Sequence, residues 1–360
     1  MPIIVSNDFP PESGGIQRVM SHLASGIAAR GRELLVVAPR IAGAREYDRS
    51  LPFRVLRYRT AGLKAARIVS IVQTYLGALR AARDRATIAS IWWPAAIAVA
   101  VVPKILRGRF VVLAHGSEIA PTRTGLRRSV MLFVYRRADV ILANSRFTKA
   151  LLARVGVTAN VRLVTLAVDG TPIVPARAAQ PTVVSVGRLI ARKGFDRTIE
   201  AIATLASDFP DLRYVIVGAG PQHGALVALA RELGVAERVT FLGRVSDDEL
   251  HAAYANAWCF ALPTRLVVDD VEGFGLVFLE AAMAELPSIG GTDSGAVDAI
   301  VDGETGYLVD GTDSHAIANA LRGLLSNPIA AAAMGRRARD RALTFTWDRT
   351  VDEVLAALER

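Results

Sequence analysis

The chain has 360 residues, of which 52% are hydrophobic, with 43 lysines and arginines against 34 acidic side chains. This exceeds the length of one typical domain and supplies apolar material for two cores, while the single cysteine, Cys259, excludes an internal disulfide and any cysteine-rich metal site. The net charge of +9 hides an imbalance: residues 1–175 hold 26 basic and 9 acidic side chains, whereas residues 176–360 hold 17 and 25.

Apolar runs of strand length alternate with helical patterns, which predicts α/β layers. Strands are expected at 3–5, 34–38, 88–92, 110–114 and 140–143, with a helix over about 16–29. Residues 169–181 contain Gly170, Pro172, Pro175 and Pro181 with few periodic hydrophobics, and read as an interdomain linker. A second series follows, with strands at 182–186, 214–217, 239–242, 259–262 and 287–290 and helices near 195–206, 222–233, 247–255 and 276–284. Cys259, inside the run WCFALP, is expected to be buried packing. No basic segment with a long apolar stretch follows Met1, and no apolar run reaches spanning length, so a cytoplasmic protein is expected.

Residues 272–280 read EGFGLVFLE, two carboxylates bracketing a glycine-punctuated loop that becomes a helix. Unpaired amides near 275–277 and the positive end of the helix dipole would attract phosphate. Glu280, one turn into an apolar helix, needs donors, and sugar hydroxyls supply them without adding negative charge. Glu272, in the loop, is free to face a second sugar. Arg188 directly follows a strand and Lys193 precedes Gly194 and a helix, so both cations can reach one anion. Arg192 reads as a solvated neighbour that could contact a phosphate. Arg188, Gly218, Gly243 and Thr264 all fall beyond the carboxyl ends of strands, where open parallel sheets bind ligands. Asp269, Asp270 and Glu272 lack a defined coordination frame and read as solvated acids, with no metal site.

The spacing of Glu272 and Glu280 resembles the E-x7-E signature of retaining glycosyltransferases of the GT-B fold, family 4. Gly187-Arg188-Leu189 followed by Lys193-Gly194 is similar to that family's G-R-L-x-x-x-K-G element; Arg192 departs from the matched positions. Residues 8–17, DFPPESGGIQ, resemble its glycine-rich loop, His115-Gly116 its histidine loop, Asn144-Ser145 its N-S element, and residues 345–349, FTWDR, the segment opening its last helix. The resemblance implies two Rossmann-like parallel-sheet domains facing across a cleft: residues 1–172 for the acceptor, 173–345 for the nucleotide sugar, and 346–360 as a helix returning to the first domain. It implies that Gly187, Arg188 and Lys193 hold the donor pyrophosphate, aided by Gly14, Gly15 and the 273–277 loop (Gly273, Phe274, Gly275, Leu276, Val277). Glu280 would bind ribose, and Glu272 the sugar ring. His115 would orient the sugar, and Gln17, Asn144 and Ser145 would lie on the acceptor side. Transfer would be by front-face attack, with no metal or other cofactor.

The wording DVEGFG at 270–275 is similar to phosphatidylinositol mannosyltransferases of the PimB type, which implies GDP-mannose as donor and a lipid-linked, glycan or small-molecule acceptor. Residues 295–298, GAVD, depart from the G-x-P-E of many relatives, so contacts near the sugar or phosphate are expected to differ. Arginines cluster at Arg54, Arg57, Arg59 and Arg67, at Arg80, Arg83 and Arg85, and at Arg123, Arg127, Arg128, Arg136 and Arg137. Without a nucleic-acid motif, this charge suits anionic lipid headgroups on a membrane face better than nucleic acid. A GT-B nucleotide-sugar epimerase and a noncatalytic anion- or lipid-binding protein are the alternatives. An NAD-dependent oxidoreductase is disfavoured, because residues 218–224, GAGPQHG, lack the full G-x-G-x-x-G fingerprint.

Overall fold

The computed structural model describes residues 1–12, 14–60, 64–82, 85–119, 125–268 and 270–359. Ser13, Arg83, Arg123 and Asp269 lie outside the described residues. The chain forms two compact units, Met1–Leu166 with Thr346–Arg360, and Ala167–Phe345.

The first unit is built on a parallel sheet of β1 (Pro2–Val5), β2 (Leu35–Pro39), β3 (Arg54–Tyr58), β4 (Ala86–Ala89), β5 (Arg109–Ala114), β6 (Val140–Ala143) and β7 (Val161–Leu163). Their order is β3-β2-β1-β4-β5-β6-β7. The second unit's parallel sheet holds β8 (Thr182–Val186), β9 (Arg213–Val217), β10 (Val239–Gly243), β11 (Cys259–Leu262), β12 (Ser288–Gly291) and β13 (Gly306–Val309), ordered β10-β9-β8-β11-β12-β13. Central strands such as β1 (PIIV) and β11 (CFAL) are buried throughout, because helices cover both faces and only continuous apolar runs satisfy both. Strand order reverses beside β1, where β4 pairs with it, and beside β8, where β11 does. Each unit therefore has a crevice beyond the carboxyl ends of those pairs, the place where open α/β sheets bind ligands.

The first unit's core gathers Ile4, Met20, Leu23, Ile27, Val36, Leu113 and Leu142, closed by Val351, Val354 and Leu355 from the helix Trp347–Glu359. That helix is also tied by polar contacts: Thr165 N–H donates to Glu353 Oε2 (2.6 Å), and Arg109 Nε donates to the Ala357 carbonyl (2.6 Å). Cys259 is buried, as expected, and burial pushes its thiol pKa up to about 12. Among the described residues no helix is long and apolar enough to cross a membrane.

Two expectations are corrected. The strand expected at 88–92 ends at Ala89, and Trp92–Ala96 forms a wide helical turn leading into the helix Ile97–Ala100; Pro94 has no N–H for a ladder. Residues 169–181 lack regular structure but are not a free linker. Ile173, Ala176 and Ala178 donate N–H bonds of 2.9 Å to the carbonyls of Met283, Ala255 and Asn256. Arg177 donates to the carbonyls of Ala255, Ala284 and Glu285. These acceptors are the orphan carbonyls at the ends of the helices Asp247–Asn256 and Leu276–Met283, so the segment caps two helices of the second unit.

Candidate active site

In the second unit the β8/β11 crevice collects the residues singled out by their spacing. Beyond β8, Gly187 N–H donates to the Val217 carbonyl, and Leu189 exchanges bonds with Ala219 and Gln222, which fixes the loop that carries Arg188. Arg188 is exposed and has no ion-pair partner among the described residues. The short turn Ala191–Lys193 then ends at Gly194, from which the helix Phe195–Leu205 starts.

Beyond β11, Gly275 occupies the left-handed region (φ 84°) and opens the helix Leu276–Met283. A side chain there would be strained and would meet the Phe278 ring. Only Phe278 N–H turns back, to the Gly275 carbonyl; the amides of Leu276 and Val277 have no acceptor among the described residues. Glu280, half-buried one turn on, accepts from the Tyr254 hydroxyl (3.2 Å). Phe274 is buried and packs against Phe345, 6.1 Å between ring centroids, so toward a ligand it offers backbone alone.

Glu272 is neither a solvated loop acid nor an unengaged one. Its carboxylate is 14% exposed and meets two cations: Lys193 Nζ lies 2.6 Å from Oε2, and Arg192 Nη1 donates to the same oxygen. Burial alone would raise the Glu272 pKa, but Lys193 and Arg192 hold it below the usual carboxylate range. The expectation of a solvated Arg192 is thereby overturned. Its side chain is 12% exposed, and Nε lies 3.1 Å from Asp270 Oδ1. Its buried position follows from the turn, which directs residues 192 and 193 to the same side of the loop after β11. The departing segment 295–298 presses on the same loop: Gly295 N–H donates to the Glu272 carbonyl (2.8 Å), and the Gly273–Phe274 backbone leaves no room for a side chain at 295.

In the first unit the corresponding rim holds a polar set. Gly14 caps the helix Gly15–Ala29, with the Gln17 carboxamide folded over it and open space above Gly15. His115 follows β5. Its Nε2 lies 2.8 Å from the Ser90 carbonyl, which can only accept, so Nε2 donates a proton to it. The backbone N–H of His115 donates to Glu118 Oε1 (2.7 Å), and Asn144 Nδ2 donates to the His115 carbonyl (3.3 Å). Asn7 Oδ1, Ser90 Oγ, Glu118 Oε2 and Asn144 Oδ1 are buried without a hydrogen-bond partner among the described residues, which leaves bonding capacity unspent along this rim. Ser145 is differently employed, its Oγ accepting Thr148 N–H (2.9 Å) to cap the helix Arg146–Arg154.

Sequence reasoning missed several groups. Asp8, beyond β1, is pushed up by burial and partly pulled back by His115 and Arg67. Tyr254 and the Arg192–Asp270 pair were also unmarked; Asp270 two residues before Glu272 was the available signal. Conversely Arg57, counted within a cationic cluster, is committed to Asp48 (2.6 Å) and to the carbonyls of Pro10 and Pro39.

A family model described as Glycosyltransferase Family 4 matches residues 13–171, and one described as Glycosyl transferases group 1 matches residues 172–341. The GDP-mannose-dependent alpha-(1-6)-phosphatidylinositol monomannoside mannosyltransferase of Mycolicibacterium smegmatis is 36% identical, covering 99% of this chain and 97% of that protein. A protein of the same description from Mycobacterium tuberculosis is 33% identical, with 96% and 94% covered. Among solved structures, Anabaena HepE in complex with UDP superposes with a TM-score of 0.82 at 19% identity (99% and 100% covered). Sucrose-phosphate synthase from Thermosynechococcus elongatus gives 0.78 at 22% (99% and 97% covered). At such identities the likeness carries the fold, GT-B. The two matched segments and the full-length relatives place this chain in glycosyltransferase family 4, as a glycosyltransferase built on two Rossmann-like domains.

Proposed function

We propose that this glycosyltransferase moves mannose from GDP-mannose to a hydroxyl of a lipid-linked polyol, with retention of anomeric configuration. The observation that carries the reading is the donor rim of the second unit. Arg188 is exposed and uncommitted, Lys193 lies in the adjoining turn, and the Leu276 and Val277 amides are open, a set that suits a diphosphate. The names of the full-length relatives support mannose, GDP and a phosphatidylinositol-type acceptor.

In this reading Arg188, Lys193 and the two amides stabilise the charge that grows on the diphosphate as the bond from C1 to its oxygen breaks. The acceptor oxygen bonds to C1 on the same face, its proton passes to the departing phosphate oxygen, and GDP leaves. Glu280 accepts from ribose hydroxyls and Glu272 from the sugar ring. His115 and the unspent acceptors around it position hydroxyl-bearing ligands. Cationic side chains take the place of a divalent ion, so turnover is expected to survive EDTA; reversible loss restored by Mg²⁺ would reject that part.

The first unit also supports a membrane-borne acceptor. On the helix Gly125–Arg137, Leu126 is 80% exposed and Phe133 41%, one face at i, i+7, with Arg137 stacked on Phe133 at 5.3 Å. Ile105, in the helix Lys104–Arg107, is a further large apolar side chain of this unit, 87% exposed. Residues of this kind suit the interface of an anionic bilayer, and a cytoplasmic protein peripheral to the membrane follows from the reading.

The test is turnover of GDP-mannose and UDP-glucose with vesicles bearing phosphatidylinositol mannosides. GDP-mannose should be consumed only with acceptor present, and Arg188→Ala should lower kcat by about 100-fold or more, in the range lost with one charge-stabilising donor. Acceptor-independent conversion of the nucleotide sugar into a rearranged one would overturn transfer in favour of epimerisation.

A further inference from the structure

Lys193 has two claims on its single charge. In the structure its ammonium sits 2.6 Å from Glu272, yet under the proposed function the same ammonium must meet the donor diphosphate. A lysine turned toward phosphate no longer compensates a carboxylate beside it, and Glu272 is too enclosed for water to take over. A second counterion that does not move is required, and Arg192 has the geometry for it.

Its guanidinium lies between two carboxylates: Nη1 donates to Glu272 Oε2, while Nε lies 3.1 Å from Asp270 Oδ1 as an ion pair without a hydrogen bond. A planar guanidinium hydrogen-bonded to one carboxylate and ion-paired with a second is more fixed in orientation than an ammonium on a flexible stem. The backbone beneath it is pinned as well. The Arg192 carbonyl accepts Arg265 N–H (2.9 Å), and the Arg265 guanidinium is bound to Asp196 (2.9 Å). With Lys193 at Glu272, the two cations Arg192 and Lys193 together balance Asp270 and Glu272. When Lys193 leaves, the bracket Asp270–Arg192–Glu272 stays intact and no buried carboxylate is left alone.

We propose that Arg192 is a positioning residue, the resident counterion that keeps the Glu272 carboxylate paired and aimed while Lys193 turns to the donor, with Asp270 as its second anchor. The inference deepens the proposed donor site and rests on that reading for the destination of Lys193. Among the described residues the charged groups facing Glu272 are Arg192 and Lys193, with Asp270 behind Arg192.

The experiment compares Arg192→Met, Arg192→Lys, Asp270→Asn and Lys193→Met in GDP binding by calorimetry, in kcat and KM for donor, and in the pH profile of kcat/KM. Arg192→Met should leave GDP affinity within about threefold while lowering kcat about 100-fold, a loss confined to the step that uses Glu272. Removing one cation from Glu272 raises its pKa, so the acidic limb should move to higher pH by about one unit. Arg192→Lys should recover about tenfold of the lost kcat, and Asp270→Asn, which removes a negative charge as well as the anchor, should lower kcat by less than Arg192→Met does. Lys193→Met should instead weaken GDP binding at least tenfold.

The inference is overturned if Arg192→Met weakens GDP binding as much as Lys193→Met does, which would make Arg192 a phosphate ligand. An unmoved acidic limb in Arg192→Met would overturn it too. The bracket is also read without donor: in the ligand-free protein Arg192→Met should shift the acid-side fall of Tm to higher pH, and no shift would refute the pairing itself. Failure of the wild-type protein to bind GDP would instead defeat the donor reading, and the ligand-free measurement separates the two.

Discussion

Glu272 shows how one enclosed carboxylate can link stability to pH. Its pKa would be raised by burial but is held low by Lys193 and Arg192. The resulting stabilisation is fully present above the unfolded value, about 4.3, and is lost as pH falls through the depressed folded value. Glu272→Gln leaves Lys193 without its carboxylate and Arg192 with Asp270 alone, and should cost about 3–5 kcal/mol at pH 7, the range for breaking a buried pair. The gap from wild type should narrow below about pH 4. Thermal melts between pH 7 and 3 check this, and a gap that stays constant across the range would contradict it. Glu272, Glu280, Arg188 and Lys193 were legible because their types and spacing stand out locally. Arg192 was not: its partner Glu272 lies 80 positions further along the chain, and nothing in the string ARK says which cation turns inward.

At the scale of elements, legibility followed burial. Strands β6, β8 and β11 were read to the residue, since strands enclosed on both faces are dominated by β-branched and other apolar residues; even the hydroxyls of β8 (TVVSV) are buried. The strands that escaped, β3 (RVLRY), β7 (VRL) and β13 (GYLV), are all at sheet edges, where one flank lacks a neighbour and polar residues are tolerated. The same contrast governs Ser145. Its neighbour Asn144 retains a free acceptor, while Ser145 Oγ is occupied by the helix it caps. Ser145→Ala should therefore lower stability by about 1 kcal/mol, typical of a lost cap, with the acceptor KM unchanged. A denaturant melt and steady-state kinetics check both halves, and a raised KM at unchanged stability would return Ser145 to the acceptor site.

For the whole molecule, the basic first half and the exposed Leu126 and Phe133 belong to one expectation. Binding to vesicles containing anionic lipid should weaken as salt rises through the range where the Debye length falls from about 10 Å to 3 Å. Leu126→Glu with Phe133→Glu should weaken it at least tenfold even at low salt, given roughly 1.5–3 kcal/mol for burying each large apolar side chain. Vesicle sedimentation measures this, and equal binding to neutral and acidic lipid at low salt would exclude the docking face. Composition alone could indicate the charge but not the face. Arg57 counts toward the total yet is spent inside the fold, whereas Leu126 and Phe133 became visible as a pair only once the helix was built.

Val351, Val354 and Leu355 complete the first unit's core from beyond the second unit, so a ribosome delivers the first-made unit unfinished. Residues 167–345 must all emerge before that core can close. During translation the second unit is the one able to fold on its own, while Ile4, Met20 and Leu23 wait without their final apolar cover, a surface for chaperones to hold. A stop codon at position 346 would spare the half made last and disable the half made first.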